Sequence, residues 1–311
     1  MNINMTFKSC DNNWGPSAIF TKYYNKIKEL RPDLNFTYYD SGPLRKKDLK
    51  YHGNSCRYSP FYLYIENDSN KKFILCSFWG RLREIFNPNF NYGNMNLNLL
   101  QEIITSSGII QDDIEFKPIE NLKYTPFGYV SYTTDHEKIA DKILNLDLIK
   151  PNPVKPIFRN FPNDPFRKYL FSDSRFNCID RSVSNNNIQI EEFMVELNSS
   201  KINISLNGNS EICHRDMEIL SLGNVLLRTK FLVQFHEPLI PNFHYIAIDV
   251  DNFKDHKTIA DKMFIKYNEI KDNHEFLNFI GKNARDWYTR NGCSEGCSNL
   301  LLKLIDYNKL L

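Results

Sequence analysis

Arg215 and Glu218 stand one helical turn apart, directly after a polar turn that contains Gly208. A guanidinium is a planar fork of donors suited to a diphosphate, and a carboxylate one turn along the same face suits a pair of ribose hydroxyls. A nucleotide carrying a sugar fits both groups. The surrounding segment, Lys201 to Ile248, shows how they would be aimed. Ile202, Ile204 and Leu206 alternate as a strand does, and Asn207-Gly208-Asn209-Ser210 is a turn where Gly208 lets backbone N–H groups approach a ligand closely. Met217, Leu220 and Leu222 then fall near helical spacing, which predicts a helix over His214 to Leu222 ended by Gly223. A strand, a turn and a helix start together favour an anion, because the free N–H groups and the helix dipole both attract phosphate. Such units also occur in every α/β domain, and an arginine at a helix start also serves as a solvated or salt-bridged surface residue. Spacing alone leaves both readings open.

Other residues could carry related chemistry. Asp249 and Asp251 follow the apolar run HYIAI, and two carboxylates so spaced at a strand end can hold a divalent cation on a donor diphosphate. The alternative is that Asp251 or Asp255 caps the helix that follows. Cys293 and Cys297 have no second Cys or His pair nearby, so they read as ordinary thiols rather than half of a zinc site. Asp40 closes the run FTYYD before Ser41-Gly42-Pro43, where a carboxylate at a strand end is placed to take a proton from an acceptor hydroxyl. It is equally suited to opening the turn. Asp11, in the loop after the first strand, is the reserve for the same role.

The elements that must position these groups follow from hydrophobic periodicity. Met5 to Cys10 reads as a first strand. Ser17 caps a helix with Ile19, Tyr23, Ile27 and Leu30 on one face, and Asn35 to Tyr39 is a second strand ending at a turn over residues 40–43. That order opens an α/β nucleotide-fold half. SPFYLYIE and KKFILCSFW are two strands joined at Asn67 to Asn70. Leu97 to Ile104 is expected to be helical, Lys123 to Tyr132 extended, and His136 to Leu146 helical. Pro151, Pro153 and Pro156 mark a linker that divides the chain into residues 1–152 and 153–311. Beyond it, Arg167 to Leu170 starts a helical or mixed segment, and helices are expected around 188–197, Asp255 to Asn268, Glu275 to Arg290 and Asn299 to Leu310, with HYIAI as a buried strand.

Three segments, in order, carry a resemblance. NGNSEICHRDMEILSLGNVLL followed by EPLIPNFHYIAI resembles the C-terminal half of the glycosyltransferase family that holds fungal capsule-synthesis enzymes and animal protein O-glucosyltransferases. Upstream, PIFRNFPNDPFRKYL is similar to the family's segment with an arginine after an aromatic residue and a second arginine several positions later. Downstream, GKNARDWYTRNGCSEGCSNLLLKLIDYNKLL resembles the closing helices. Asn160 stands where the family usually has glycine, and Glu218 differs from the residue of its animal members. The resemblance implies a GT-B architecture, two Rossmann-like domains facing one another across a cleft. Residues 1–152 would take the acceptor and residues 153–311 the nucleotide sugar, with the closing helix packing back on the N-terminal half.

The resemblance also implies a UDP-linked donor, inversion at the transferred sugar, and no obligatory metal. Arg159, Arg167, Gly208, Asn209, Ser210, His214, Arg215 and Glu218 are then the expected donor-binding residues. Asp40 is the expected general base, because RPDLNFTYYD resembles the approach to the family's catalytic aspartate with a gap of two residues. Two rivals stand beside this reading: a GT-A type enzyme that uses a metal on Asp249 and Asp251, and a non-catalytic nucleotide-sugar-binding protein.

Composition narrows the setting. With 311 residues the chain can bury two cores. A formal net charge of +2 offers no basic excess of the kind that neutralises many phosphates, which argues against nucleic acid as a partner. The opening MNINMTFKSCDNNWG lacks the pattern of a secretory leader, no run approaches the ~20 apolar residues of a membrane helix, and the chain ends without a KDEL-type signal. Seven cysteines form no framework and suit a reducing compartment. The expectation is a cytoplasmic protein acting on a glycan or protein hydroxyl, unlike the secretory members of the family.

Overall fold

The structure is a computed structural model of the chain. It describes residues 2–9, 24–43, 61–67, 72–77, 102–105, 109–110, 123–126, 136–146, 165–178, 189–206, 213–231, 233–234, 237–252 and 255–307. The architecture is mixed α/β with two principal sheets.

The N-terminal sheet is built from β1 (Asn2–Ser9), β2 (Asn35–Pro43), β3 (Phe61–Asn67), β4 (Lys72–Ser77), β5 (Glu102–Thr105) and β7 (Lys123–Pro126), in the order β2-β1-β3-β4-β5-β7. β1 and β2 run parallel, as do β4 and β5 and then β5 and β7, but β3 is antiparallel to both of its neighbours. The sheet is therefore mixed rather than uniformly parallel, because the β3–β4 pair that the two apolar runs predict is inserted between parallel units. Helix α1 covers residues 24–30 and buries Ile27 fully.

Two sequence expectations need correction here. The helix expected over Leu97 to Ile104 is instead β5 across its described part, Glu102 to Ile104. Ile103, Ile104 and Thr105 are β-branched and favour the pleated conformation, which outweighs the leucine spacing before them. The second strand does not stop at Tyr39 but runs to Pro43. Asp40 pairs with Phe7 and Pro43 with Ser9, so β2 spends one more residue than β1 over this interval and bulges at Ser41-Gly42. Among the described strands β2 lies at one edge of the sheet, and an edge and a bulge are both places where a proline such as Pro43 is tolerated.

The C-terminal sheet has three parallel strands, β8 (Ile202–Ile204), β9 (Val225–Thr229) and β11 (Ile246–Ile248), ordered β11-β9-β8. Around it lie α2 (His136–Leu144), α3 (Pro165–Ser172), α4 (Ile190–Asn198), α5 (His214–Ser221), α6 (His256–Ile270), α7 (His274–Asn291) and α8 (Ser294–Tyr307). One face packs Leu226 under Met194 and Leu197 of α4, Met217 and Leu220 of α5, Ala140 and Ile143 of α2, and Trp287 of α7. The other packs Ile202, Ile204, Val225, Leu227, Ile246 and Ile248 against Leu170, Ile259, Met263, Leu277 and Ile280. Both faces are covered, as a parallel sheet requires. Full burial of each such aliphatic side chain contributes about 1.5–3 kcal/mol.

The alternation of Ile202, Ile204 and Leu206 therefore does not leave a wet face. Asn203 and Ser205 are fully buried beneath the helices, and the Asn203 amide donates to the Leu197 carbonyl at 3.2 Å. Asn224 donates to the same carbonyl at 3.0 Å, so two buried amides satisfy the C-terminal end of α4.

Several contacts join sequence-distant parts. The short strand β6 (Ile109–Ile110) pairs antiparallel with β10 (Val233–Gln234). Lys26 of α1 lies 3.3 Å from Glu295 in the first turn of α8, and Arg285 of α7 pairs with Asp141 of α2. Helix α2 packs against α4 and α5 although it precedes the proline-rich segment. Among the described residues no helix is long and apolar enough to cross a membrane.

Candidate functional site

In an open parallel sheet ligands collect beyond the C-terminal ends of the strands, and here those ends are Ser205–Leu206 after β8, Lys230–Phe231 after β9 and Asp249 after β11. Helix α5 starts beside the first of them. Cys213 precedes it in an extended conformation (φ −107°, ψ 153°), and its thiol donates to the Leu206 carbonyl at 3.3 Å, which ties the helix start to the strand end. The Cys213 backbone N–H donates to the Asp216 carboxylate at 2.8 Å, the reciprocal arm of a capping box. At the far end Gly223 adopts φ +63°, with Gly223 N–H donating to Leu220 and Asn224 N–H to Ile219. These are the two bonds of a Schellman motif, so the helix ends where the glycine predicts.

Arg215, in the first turn of α5, is half-buried. Its guanidinium lies 5.9 Å from the ring centroid of Phe193, and its Nε is shielded from solvent with no hydrogen-bond partner among the described residues. Glu218, one turn on, is only 6 % exposed, and its carboxylate lies 3.6 Å from Nε2 of the buried His136 that opens α2. The two residues singled out from the sequence thus share α5 but meet different neighbours, Arg215 an aromatic ring of α4 and Glu218 an imidazole of α2. His214 is the first residue of the helix. Arg167 falls in the first turn of α3. Asp40 sits within β2 opposite Phe7, next to the bulge. Asp11, Arg159, Gly208, Asn209 and Ser210 lie outside the described residues.

Sequence reasoning missed the pair that anchors this region. Arg228, the last residue but one of β9, directs Nη1 at the Asp216 carboxylate at 2.5 Å, and neither side chain reaches solvent. Its Nε donates to the Thr229 carbonyl at 3.0 Å, and the guanidinium carbon stands 3.6 Å from the centroid of the Phe231 ring. A charged residue inside the apolar run VLLRT was the available signal, since arginine is almost never fully buried unless paired. Its partner, twelve positions earlier on the other side of a helix–strand turn, is invisible to periodicity.

The competing metal pair finds a different setting. Asp249 and Asp251 are exposed; Asp249 lies 3.9 Å from Lys230, and its backbone carbonyl accepts from Lys262 at 2.8 Å. Asp255 is the N-cap of α6, accepting from the Thr258 N–H at 3.0 Å and the Thr258 hydroxyl at 2.7 Å, and these bonds hold its carboxyl below the ordinary aspartate value. Among the described residues no three His, Cys, Asp or Glu side chains gather as a metal site. The Cys293 and Cys297 thiols donate to the Thr289 and Asn291 carbonyls at 3.0 and 2.9 Å, and burial pushes the Cys293 thiol up.

No protein-family model matches this sequence, and no curated protein matches it. Among solved structures, the chain is similar to an alpha-glucosyltransferase in complex with UDP-glucose and DNA containing an abasic site, at 11% identity and a TM-score of 0.39 over 68% of this chain and 66% of that one. It is also similar to the GtfA/B complex, at 9% identity and a TM-score of 0.42 over 71% of this chain and 48% of that one. The chain spans just under two thirds of the first structure and about half of the second.

Proposed function

We propose that this chain is a glycosyltransferase of GT-B architecture that moves a sugar from a nucleotide sugar, UDP-linked, to an acceptor hydroxyl, with inversion and without an obligatory metal. The observation that carries the reading is the setting of Arg215. It lies in the first turn of a helix that begins at the C-terminal end of a parallel strand, and its Nε lacks a hydrogen-bond partner among the described residues. A guanidinium in that position adds fixed positive charge to the helix dipole, which stabilises the leaving diphosphate without a cation.

In this reading residues 153–311 hold the donor through Arg159, Arg167, Gly208, Asn209, Ser210, His214, Arg215 and Glu218. Residues 1–152 hold the acceptor, and Asp40 takes its proton, with Asp11 in reserve. Glu218 serves the ribose hydroxyls, with His136 orienting its carboxylate.

The direct test is titration of the purified chain with UDP and a panel of nucleotide sugars, in chelator and then with added magnesium or manganese. Expected is binding of UDP and of one UDP-sugar in chelator, followed by slow sugar release to water or transfer to an added hydroxyl acceptor. Binding that appears only with metal would overturn the metal-free mechanism. Binding with neither hydrolysis nor transfer would leave a nucleotide-sugar-binding protein.

A further inference from the structure

We propose that Arg228 and Asp216 are positioning residues for the donor phosphates: the pair fixes the start of α5 against the central strand and cancels the negative charge that Asp216 would otherwise set beside the bound anion. The inference rests on the reading that the N-terminus of α5 receives the diphosphate.

The geometry carries it in two steps. Asp216 is the third residue of α5, and its Oδ2 accepts both the Cys213 N–H at 2.8 Å and the Arg228 Nη1 at 2.5 Å. One carboxylate oxygen therefore ties the residue before the helix to β9. Arg228 is itself held by the Thr229 carbonyl and the face of Phe231, and the Phe231 N–H donates to the Tyr245 hydroxyl at 3.3 Å. The helix start is thus referenced to the C-terminal end of β9 and to the residue before β11.

The second step concerns charge. A carboxylate in the first turn stabilises an isolated helix, yet it opposes an anion brought to the same N–H groups. With Arg228 beside it the two charges cancel, and the field at the helix start is left to the dipole and Arg215. A buried ion pair is a poor way to gain stability, because apolar residues of similar volume do as well or better. This pair is not even optimally satisfied, since Asp216 Oδ1 is buried with no hydrogen-bond partner among the described residues. Fixed geometry and neutralised charge account for what stability does not.

The test compares the full-length wild type with Asp216→Leu/Arg228→Met, in which apolar side chains replace the pair, and with Arg228→Lys, which keeps the charge but loses the fork. Three readouts are taken: the thermal midpoint, hydrogen exchange of the Cys213 amide without nucleotide, and UDP affinity by calorimetry. Expected is a double variant that folds with a midpoint near wild type, exchanges the Cys213 amide faster, and binds UDP about tenfold more weakly, because the helix start is no longer held while the local charge stays balanced. Arg228→Lys is expected to fold and to fall between the two, so the question remains decidable if the double variant fails to fold. A wild type that binds UDP beside variants that bind equally well, with the Cys213 amide still protected, overturns the inference alone. A wild type that gives no signal with UDP overturns the donor reading, and the inference falls with it.

Discussion

A Cβ atom built on Gly281 would stand 2.2 Å from the carbonyl oxygen of Gly223. The end of α5 and the middle of α7 therefore meet backbone to backbone, with Gly223 in the left-handed region at φ +63°. At one end α5 is set by the buried pair of Asp216 and Arg228, and at the other by two glycines, Gly281 with no room for a methyl group and Gly223 in a conformation that L side chains rarely adopt. Gly281→Ala is expected to lower the unfolding free energy by about 1–3 kcal/mol through overpacking, and Gly223→Ala by about 1–2 kcal/mol through left-handed strain. Urea unfolding of the two variants checks both values; an unchanged midpoint for Gly281→Ala would show that the helices separate without cost.

Helix α5 was legible because its signals are local: apolar spacing from Met217 to Leu222, and a glycine where only a positive φ continues the chain. The cap at Asp255 and the pairing of β3 with β4 were legible for the same reason. The position of Asp40 was not, since residues 40–43 carry the composition of a turn and only the pairing with β1 keeps them in a strand. Nor could alternation reveal that Asn203 lies beneath α4, because whether the second face of a strand meets water depends on helices far away in sequence. The partnership of Arg228 with Asp216 is wholly tertiary. An arginine in an apolar strand announces a partner without saying which.

Arg215→Ala is expected to weaken UDP affinity by about 1.5–3 kcal/mol, the range for a hydrogen bond to a charged group, with the thermal midpoint of the nucleotide-free protein little changed. Arg215→Lys keeps the charge and loses the fork, so it should recover only part of the affinity. Calorimetric titration of both variants decides the matter. Equal affinity in wild type and Arg215→Ala would remove this residue from the phosphate site.

Glu218→Gln preserves volume while removing the charge that faces His136. If the carboxylate accepts from the ribose hydroxyls, the variant should bind UDP more weakly than wild type yet bind inorganic diphosphate equally well, because only the ribose contact has changed. Loss of both affinities together would instead place Glu218 in the support of α5 against α2.

His244 gives the structure a pH-dependent element away from the candidate site. Its Nδ1 accepts the Ile240 N–H at 2.9 Å, a bond that protonation at that nitrogen abolishes. Burial lowers its pKa below the ordinary 6.5, with Arg290 acting in the same direction and Glu237 opposing. The unfolded chain therefore takes up a proton near pH 6.5 before the folded chain does, so the contribution is present above that pH and is lost as pH falls toward the lower folded value. His244→Asn, whose side-chain oxygen can accept in place of Nδ1, should lose less thermal stability than wild type between about pH 7.5 and about pH 5.5. Parallel losses in the two proteins would count against this assignment.

Asp40→Asn is the variant that separates binding from chemistry. Asp40 sits in edge strand β2 opposite Phe7, immediately before the extra residue that bulges the strand at Ser41-Gly42. Bulges at sheet edges recur beside active sites, and the one here directly follows Asp40 in the chain. Removing a general base costs typically about 10²–10⁴ in rate, whereas the donor contacts proposed here belong to residues 153–311. Transfer by Asp40→Asn should therefore fall by that factor while UDP affinity remains at the wild-type value. Near-normal turnover would pass the role to Asp11, and an Asp11→Asn variant that is also active would show that neither carboxylate is the base.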